Sequence, residues 1–131
     1  MEASLIAKLL ATAGVTALVG QRINWSRRPQ GQALPAIVLT RVSGLPDVHH
    51  AGASGLVESR VQVDCWGASY GSAKAVARAV EAAVTAQTFT QGAIRFDVIL
   101  VDSERDSTFE VTPDTLYRTS LDLMVHSAAA S

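Results

Sequence analysis

His49 and His50 are adjacent imidazoles that could hold a metal or carry a proton. Neutral imidazole is a common zinc ligand. A zinc site also needs further ligands at a set spacing, and no acidic residue or cysteine stands near the pair in a recognisable pattern. Adjacent side chains on an extended segment point apart. The loop from 45 to 55, rich in small residues, is therefore expected to be a flexible hairpin tip. A second group of ionisable residues runs through Glu104, Arg105, Asp106, Glu110 and Asp114. Paired carboxylates can perform acid–base chemistry or bind calcium. These five do not follow the calcium-loop spacing and have no partner histidine motif, so 103 to 114 reads as a solvated polar loop.

Cys65 is the only cysteine, which excludes an internal disulfide. It falls on the apolar side of a strand, where a small buried thiol is the expected role. The chain has no Gly-x-Gly-x-x-Gly turn, phosphate loop, nucleophile elbow or His-Glu-x-x-His. Catalytic triads assemble from distant residues, so this absence does not exclude an enzyme. What remains is charge placed for recognition. Arg60, Asp64, Arg118 and Asp122 lie on two alternating segments and would share one sheet face if those strands pair. That face is either solvated or a subunit interface of complementary charge. Arg27 and Arg28 form a basic pair in a Pro- and Gly-marked loop, either solvated or touching a phosphate or carboxylate.

The elements that position these groups follow from periodicity. Val61, Val63 and Cys65 alternate with Arg60, Gln62, Asp64 and Trp66, which is a strand. Gly67 ends it and Ser69 is a candidate N-cap for a helix spanning about 68–86. In that helix Ala73, Val76, Ala77, Val80, Ala83 and Val84 make one apolar stripe of mostly small side chains, which can lie close to a sheet. Ala36–Val42 is apolar on both faces and is expected to be central in the sheet or covered on both sides. Ile94, Phe96, Val98 and Leu100 alternate with Arg95, Asp97, Ile99 and Val101 in another strand. Leu116–His126 is the last long strand, with Tyr117, Thr119, Leu121, Leu123 and Val125 on one side. Leu5, Ile6, Leu9, Leu10 and Ala13 share a face of an N-terminal helix of about 2–13 closed by Gly14, and Gly20 closes a second short turn. Arg22–Ser26 is a candidate short strand, and 127–131 a frayed tail.

The expected fold is α+β. A mainly antiparallel sheet of four or so strands carries an N-terminal helix and one helix of about 68–86 packed on it. The chain has 131 residues, 48% of them hydrophobic, and a formal charge of -1. This length suits a single domain, and near-neutral charge argues against tight nucleic-acid binding. Met1-Glu2 is not a basic leader start, and no apolar run is long enough to span a bilayer. The reading is a soluble protein made in the cytoplasm, without a membrane partner.

Five pieces in order carry a family resemblance. They are Val15-Thr16-Ala17-Leu18-Val19-Gly20-Gln21-Arg22-Ile23, then Leu34-Pro35-Ala36-Ile37-Val38-Leu39 with Val42-Ser43-Gly44, then Arg60-Val61-Gln62-Val63-Asp64-Cys65-Trp66-Gly67, the Ala/Val helix from Ser69, and Leu116-Tyr117-Arg118-Thr119-Ser120-Leu121-Asp122-Leu123. Over Val15–Val125 the chain resembles the tail-completion or tail-terminator (head–tail joining) proteins of long-tailed bacteriophages and phage-like particles. The resemblance implies a non-enzymatic virion protein without cofactor or metal. It would form a ring, commonly a hexamer, at the head-proximal end of the tail tube. The ring would stop tube growth and meet the head–neck connector, and DNA would pass through its lumen without sequence-specific binding. On that reading Arg60, Asp64, Arg118 and Asp122 are candidates for a subunit interface. His49, His50, Glu104 and Arg105 are candidates for loop contacts to tube or connector. The competing readings are another small virion part (a connector or tube subunit), a small cytoplasmic enzyme, and a ligand-binding domain.

Overall fold

The computed structural model describes residues 2–26, 33–46, 57–85, 89–91, 94–111 and 114–129. His49, His50, Arg27 and Arg28 lie outside them. In chain order the elements are α1 (Glu2–Leu10), α2 (Ala13–Val19), β1 (Ile23–Trp25), β2 (Ala36–Pro46), β3 (Val57–Gly67), α3 (Tyr70–Thr85), β4 (Phe89–Gln91), β5 (Ile94–Val111) and β6 (Asp114–Ala129). The fold is α+β, with a larger sheet than expected: six strands in the order β1-β2-β3-β6-β5-β4. The added strands are short edge pieces of three residues each: β1 lies within the Arg22–Ser26 segment read as a candidate strand, and β4 was not foreseen. All neighbours are antiparallel except β1, which runs parallel to β2.

The helices cover one face of this sheet. Leu5, Leu9, Val15 and Val19 from the first two helices join Val76, Ala77, Val80 and Val84 of α3. They pack on Ile37, Leu39, Val61, Val63, Cys65, Phe96, Ile99, Leu121, Leu123 and Val125. The α3 stripe is thus the buried face, with Ala83 at its margin. Ser69 is the N-cap as expected, its Oγ accepting the Ser72 N–H at 3.1 Å. Gly67 allows the first turn of α3 to fold back tightly, since a Cβ there would stand 2.6 Å from the Ala73 nitrogen. Cys65 is fully buried, and desolvation pushes its thiol pKa far up, which suits packing and not reaction.

One N-terminal detail and the C-terminal tail differ from the sequence reading. The chain breaks at Thr12 and not at Gly14, which sits inside α2. Thr12 has extended backbone, and its Oγ1 donates to the Lys8 carbonyl at 2.7 Å, occupying an acceptor at the end of α1. Gly20 does close α2, at φ 59°, with its N–H on the Thr16 carbonyl at 2.8 Å. Residues 127–129 of the expected frayed tail are strand: β6 continues to Ala129, and Ser127 and Ala128 are buried.

The largest correction concerns 103–114, expected as a loop. Its described residues are strand, the distal part of a long antiparallel pair in which β5 runs beside β6 as far as Val111 opposite Asp114. Two bulges, at Asp97 and Asp102, interrupt this ladder. Each inserts one residue and swaps the faces beyond it. Phe96, Ile99 and Val101 therefore turn to the helices, while Val98 and Leu100 turn away, at 41% and 54% exposure. β4 pairs with β5 only across Ile94–Phe96, so among the described residues the rest of β5 has a free outer edge.

Candidate functional site

The second face of the sheet carries no helix among the described residues. Its central strands present Glu58, Arg60, Gln62, Asp64 and Trp66 from β3, and Arg118, Ser120, Asp122, Met124 and His126 from β6. The alternation read from the sequence holds, so Arg60, Asp64, Arg118 and Asp122 do share one face. They do not pair with one another. In register Arg60 faces Met124, Asp64 faces Ser120, Trp66 faces Arg118 and Gln62 faces Asp122.

Each of the four is engaged by another residue. Arg60 Nη1 lies 2.7 Å from Asp102 Oδ2, on the bulge of β5. The Asp102 hydrogen bond raises the Arg60 pKa above its ordinary value. Asp122 Oδ2 accepts from Arg105 Nη1 at 2.8 Å and Ser103 Oγ at 2.7 Å. Partial burial works to raise the Asp122 pKa, but these bonds and the Arg105 and Arg60 charges leave it below the usual carboxylate range. Asp64 is 7% exposed and accepts Ser120 Oγ at 2.7 Å and Gln62 Nε2 at 2.9 Å. Arg118 rests against aromatic rings, with its Cζ 4.9 Å from the Phe109 centroid and 5.5 Å from that of Trp66. The two rings meet each other at 5.5 Å.

Glu104 and Arg105 lie on opposite sides of β5 and do different things. Arg105 joins the open face through Asp122. Glu104 points to the helix side, with Asp106. Lys74 Nζ of α3 is 2.5 Å from Glu104 Oε2 and 2.9 Å from Asp106 Oδ1, and Arg78 also holds Glu104. Thr119 Oγ1 donates to Asp106 at 3.0 Å. The Asp106 and Glu104 hydrogen bonds raise the Lys74 pKa, and the Lys74 bond lowers those of both carboxylates. The acids that looked like a solvated loop thus clamp the hairpin to α3. Among the described residues no three His, Cys, Asp or Glu side chains gather as metal ligands, and no helix is long and apolar enough to cross a membrane.

The sequence profile of the family described as Tail completion protein gp17 matches residues 3–126. The chain belongs to this family. It is a structural protein of the virion tail, as the resemblance read from its strands implies. No curated protein matches the sequence. Among solved structures, the fold is similar to a chain in the virion of a native gene transfer agent (GTA) particle. That chain is 18% identical, with a TM-score of 0.72, and the match covers 98% of this chain and 95% of that one.

Sequence reasoning located part of the open sheet face. Asp102, Ser103, Phe109, Val98 and Leu100 were missed, because all sit on β5, where the bulges break the alternation. Trp66 and Arg118 carried a usable signal: both sit on the non-core side of well-patterned strands.

Proposed function

We propose that this protein is the tail terminator, a ring at the head-proximal end of the tail tube that stops tube polymerisation and joins the tail to the head–neck connector. A hexamer is the proposed ring, and DNA passes through its lumen without sequence-specific contact. The protein works by binding and not by catalysis. Family membership over nearly the whole chain is the observation that carries this reading.

The open sheet face supports it. One side of the sheet closes the core, while the other displays ordered charge beside the exposed Val98 and Leu100. A ring needs two different patches on each subunit that meet head to tail. Arg60, Asp64, Arg118 and Asp122 are proposed as part of one such interface. The long β5–β6 hairpin, carrying Glu104 and Arg105, is proposed to meet tube or connector, together with His49 and His50. A chain of formal charge -1 suits a lumen through which DNA slides.

The test is negative-stain imaging of the purified protein, alone and with cognate tail tubes. Rings capping one tube end, with growth arrested, are expected. Long filaments of the protein alone would make it a tube subunit, and monomers indifferent to tubes would remove the terminator reading.

A further inference from the structure

Arg118 differs from four cations near it on the sheet and on α3. Arg60, Lys74, Arg78 and Arg105 each hold a carboxylate. Arg118 holds none among the described residues. Among the described residues its one hydrogen bond, from Nη2 to Ser107 Oγ, is long at 3.4 Å, and its buried Nε has no acceptor. Trp66 and Phe109 flank the guanidinium and fix its plane, so little freedom remains to be lost on binding. Burial closes Nε off, so the donors left for an incoming carboxylate are the two Nη groups, whose paired N–H bonds match its two oxygens.

Such a carboxylate stands at the other end of the same face. Glu58 is exposed and enters no ion pair among the described residues. It shares β3 with Trp66, eight positions away, which is about 27 Å along a strand. The face therefore has a cationic aromatic end and an acidic end, separated along one strand. In a closing ring the cationic end of one copy can meet the acidic end of the next, head to tail.

We infer that Arg118 is the receptor for a carboxylate of a second copy of this chain, with Glu58 as the group it takes, so that the Trp66–Phe109–Arg118 end of one subunit docks on the Glu58 end of the next. This rests on the ring reading above and assigns one of its contacts.

A charge swap tests it. Assembly of wild type, Arg118→Glu, Arg118→Lys, Glu58→Arg and the double variant Arg118→Glu/Glu58→Arg is followed by sedimentation velocity. If the free protein stays monomeric, it is followed on cognate tubes. Each charge reversal is expected to weaken assembly by more than about tenfold, with far-UV circular dichroism of a folded subunit. Arg118→Lys keeps charge without the fork and should fall between. The double variant should regain most of the loss, even if either single variant is less stable. Rings that form equally well in all variants would overturn the inference and leave the terminator reading standing. Equal assembly with loss of DNA retention would also overturn it, assigning Arg118 to phosphate. A wild type that assembles in neither setting would overturn both.

Discussion

Ser120 donates a hydrogen bond to Asp64 across the β3–β6 ladder at 2.7 Å, and both side chains are buried on a sheet face that no described helix covers. Asp64 has no cation beside it among the described residues and relies on Ser120 and Gln62. Removing the acceptor strands the Ser120 hydroxyl, which is 1% exposed. Asp64→Ala should lower stability by about 1–3 kcal/mol, read as an earlier urea midpoint with unchanged slope. Asp64→Asn keeps an acceptor for Ser120 and should cost clearly less. Equal losses for the two variants would show that the charge, and not the hydrogen bond, is what matters.

Gly67 is fixed by space. A methyl group there would press on the Ala73 nitrogen at 2.6 Å and the Ser72 Cβ at 3.0 Å. Both belong to the first turn of α3, which is held by the core and cannot retreat freely. Gly67→Ala should destabilise by about 1–3 kcal/mol, seen as a lower thermal midpoint. A midpoint equal to wild type would mean that the strand-to-helix turn relaxes at no cost.

The clamp between α3 and the hairpin predicts an acid-sensitive stability. Lys74 lowers the pKa of both Glu104 and Asp106 in the folded chain. A depressed carboxylate pKa stabilises the folded state above the unfolded pKa and loses that contribution as pH falls through the folded value. The loss should therefore begin near pH 4, in the ordinary carboxylate range, and continue below it. Thermal midpoints of wild type and Lys74→Met between pH 7 and pH 2.5 check this. The variant should be less stable at pH 7, and the gap should shrink in acid. A constant gap would mean that Lys74 contributes packing alone.

Asp122 holds Arg105 and Ser103 on the open face. Asp122→Arg would place a further guanidinium beside Arg105 and Arg60. Because Asp122 lies outside the core cluster, the subunit should remain folded while ring formation weakens by about tenfold or more. Light scattering after size-exclusion chromatography, paired with circular dichroism, separates the two effects. Normal rings would take Asp122 out of the interface.

The parts of this fold legible from sequence are those where one periodicity governs an uninterrupted element. β3 and β6 alternate cleanly because one face of each meets the helices, and α3 shows its stripe because small residues repeat at three and four. The N-terminal break was misplaced because glycine is a strong stop signal, whereas Thr12 acts through a side-chain bond to Lys8 that periodicity cannot show. The distal half of β5 was misread for a different reason. Its inward residues, Glu104 and Asp106, lie beyond the apolar core and meet Lys74 and Arg78, so both of its faces are polar. The candidate face was legible in its strands but not in its partners. Asp102 and Arg105 reach Arg60 and Asp122 only because β5 carries unpaired residues.

Those two bulges have a consequence for how the sequence can drift. Facing along β5 is a matter of parity: even-numbered Phe96 looks to the helices, then odd-numbered Ile99 and Val101, then even-numbered Glu104 and Asp106. Each bulge changes the parity once, and the pair restores it. Losing the inserted residue at Asp97 or Asp102 would remove that bulge and leave the residues on either side paired and facing as they do now. Losing a residue elsewhere in the paired ladder would instead turn over the stretch beyond it, exposing apolar groups or unfastening the acids from α3. Related chains should therefore shorten here at the bulges, by one residue or two, and the hairpin's reach can change without its outer and inner surfaces trading places.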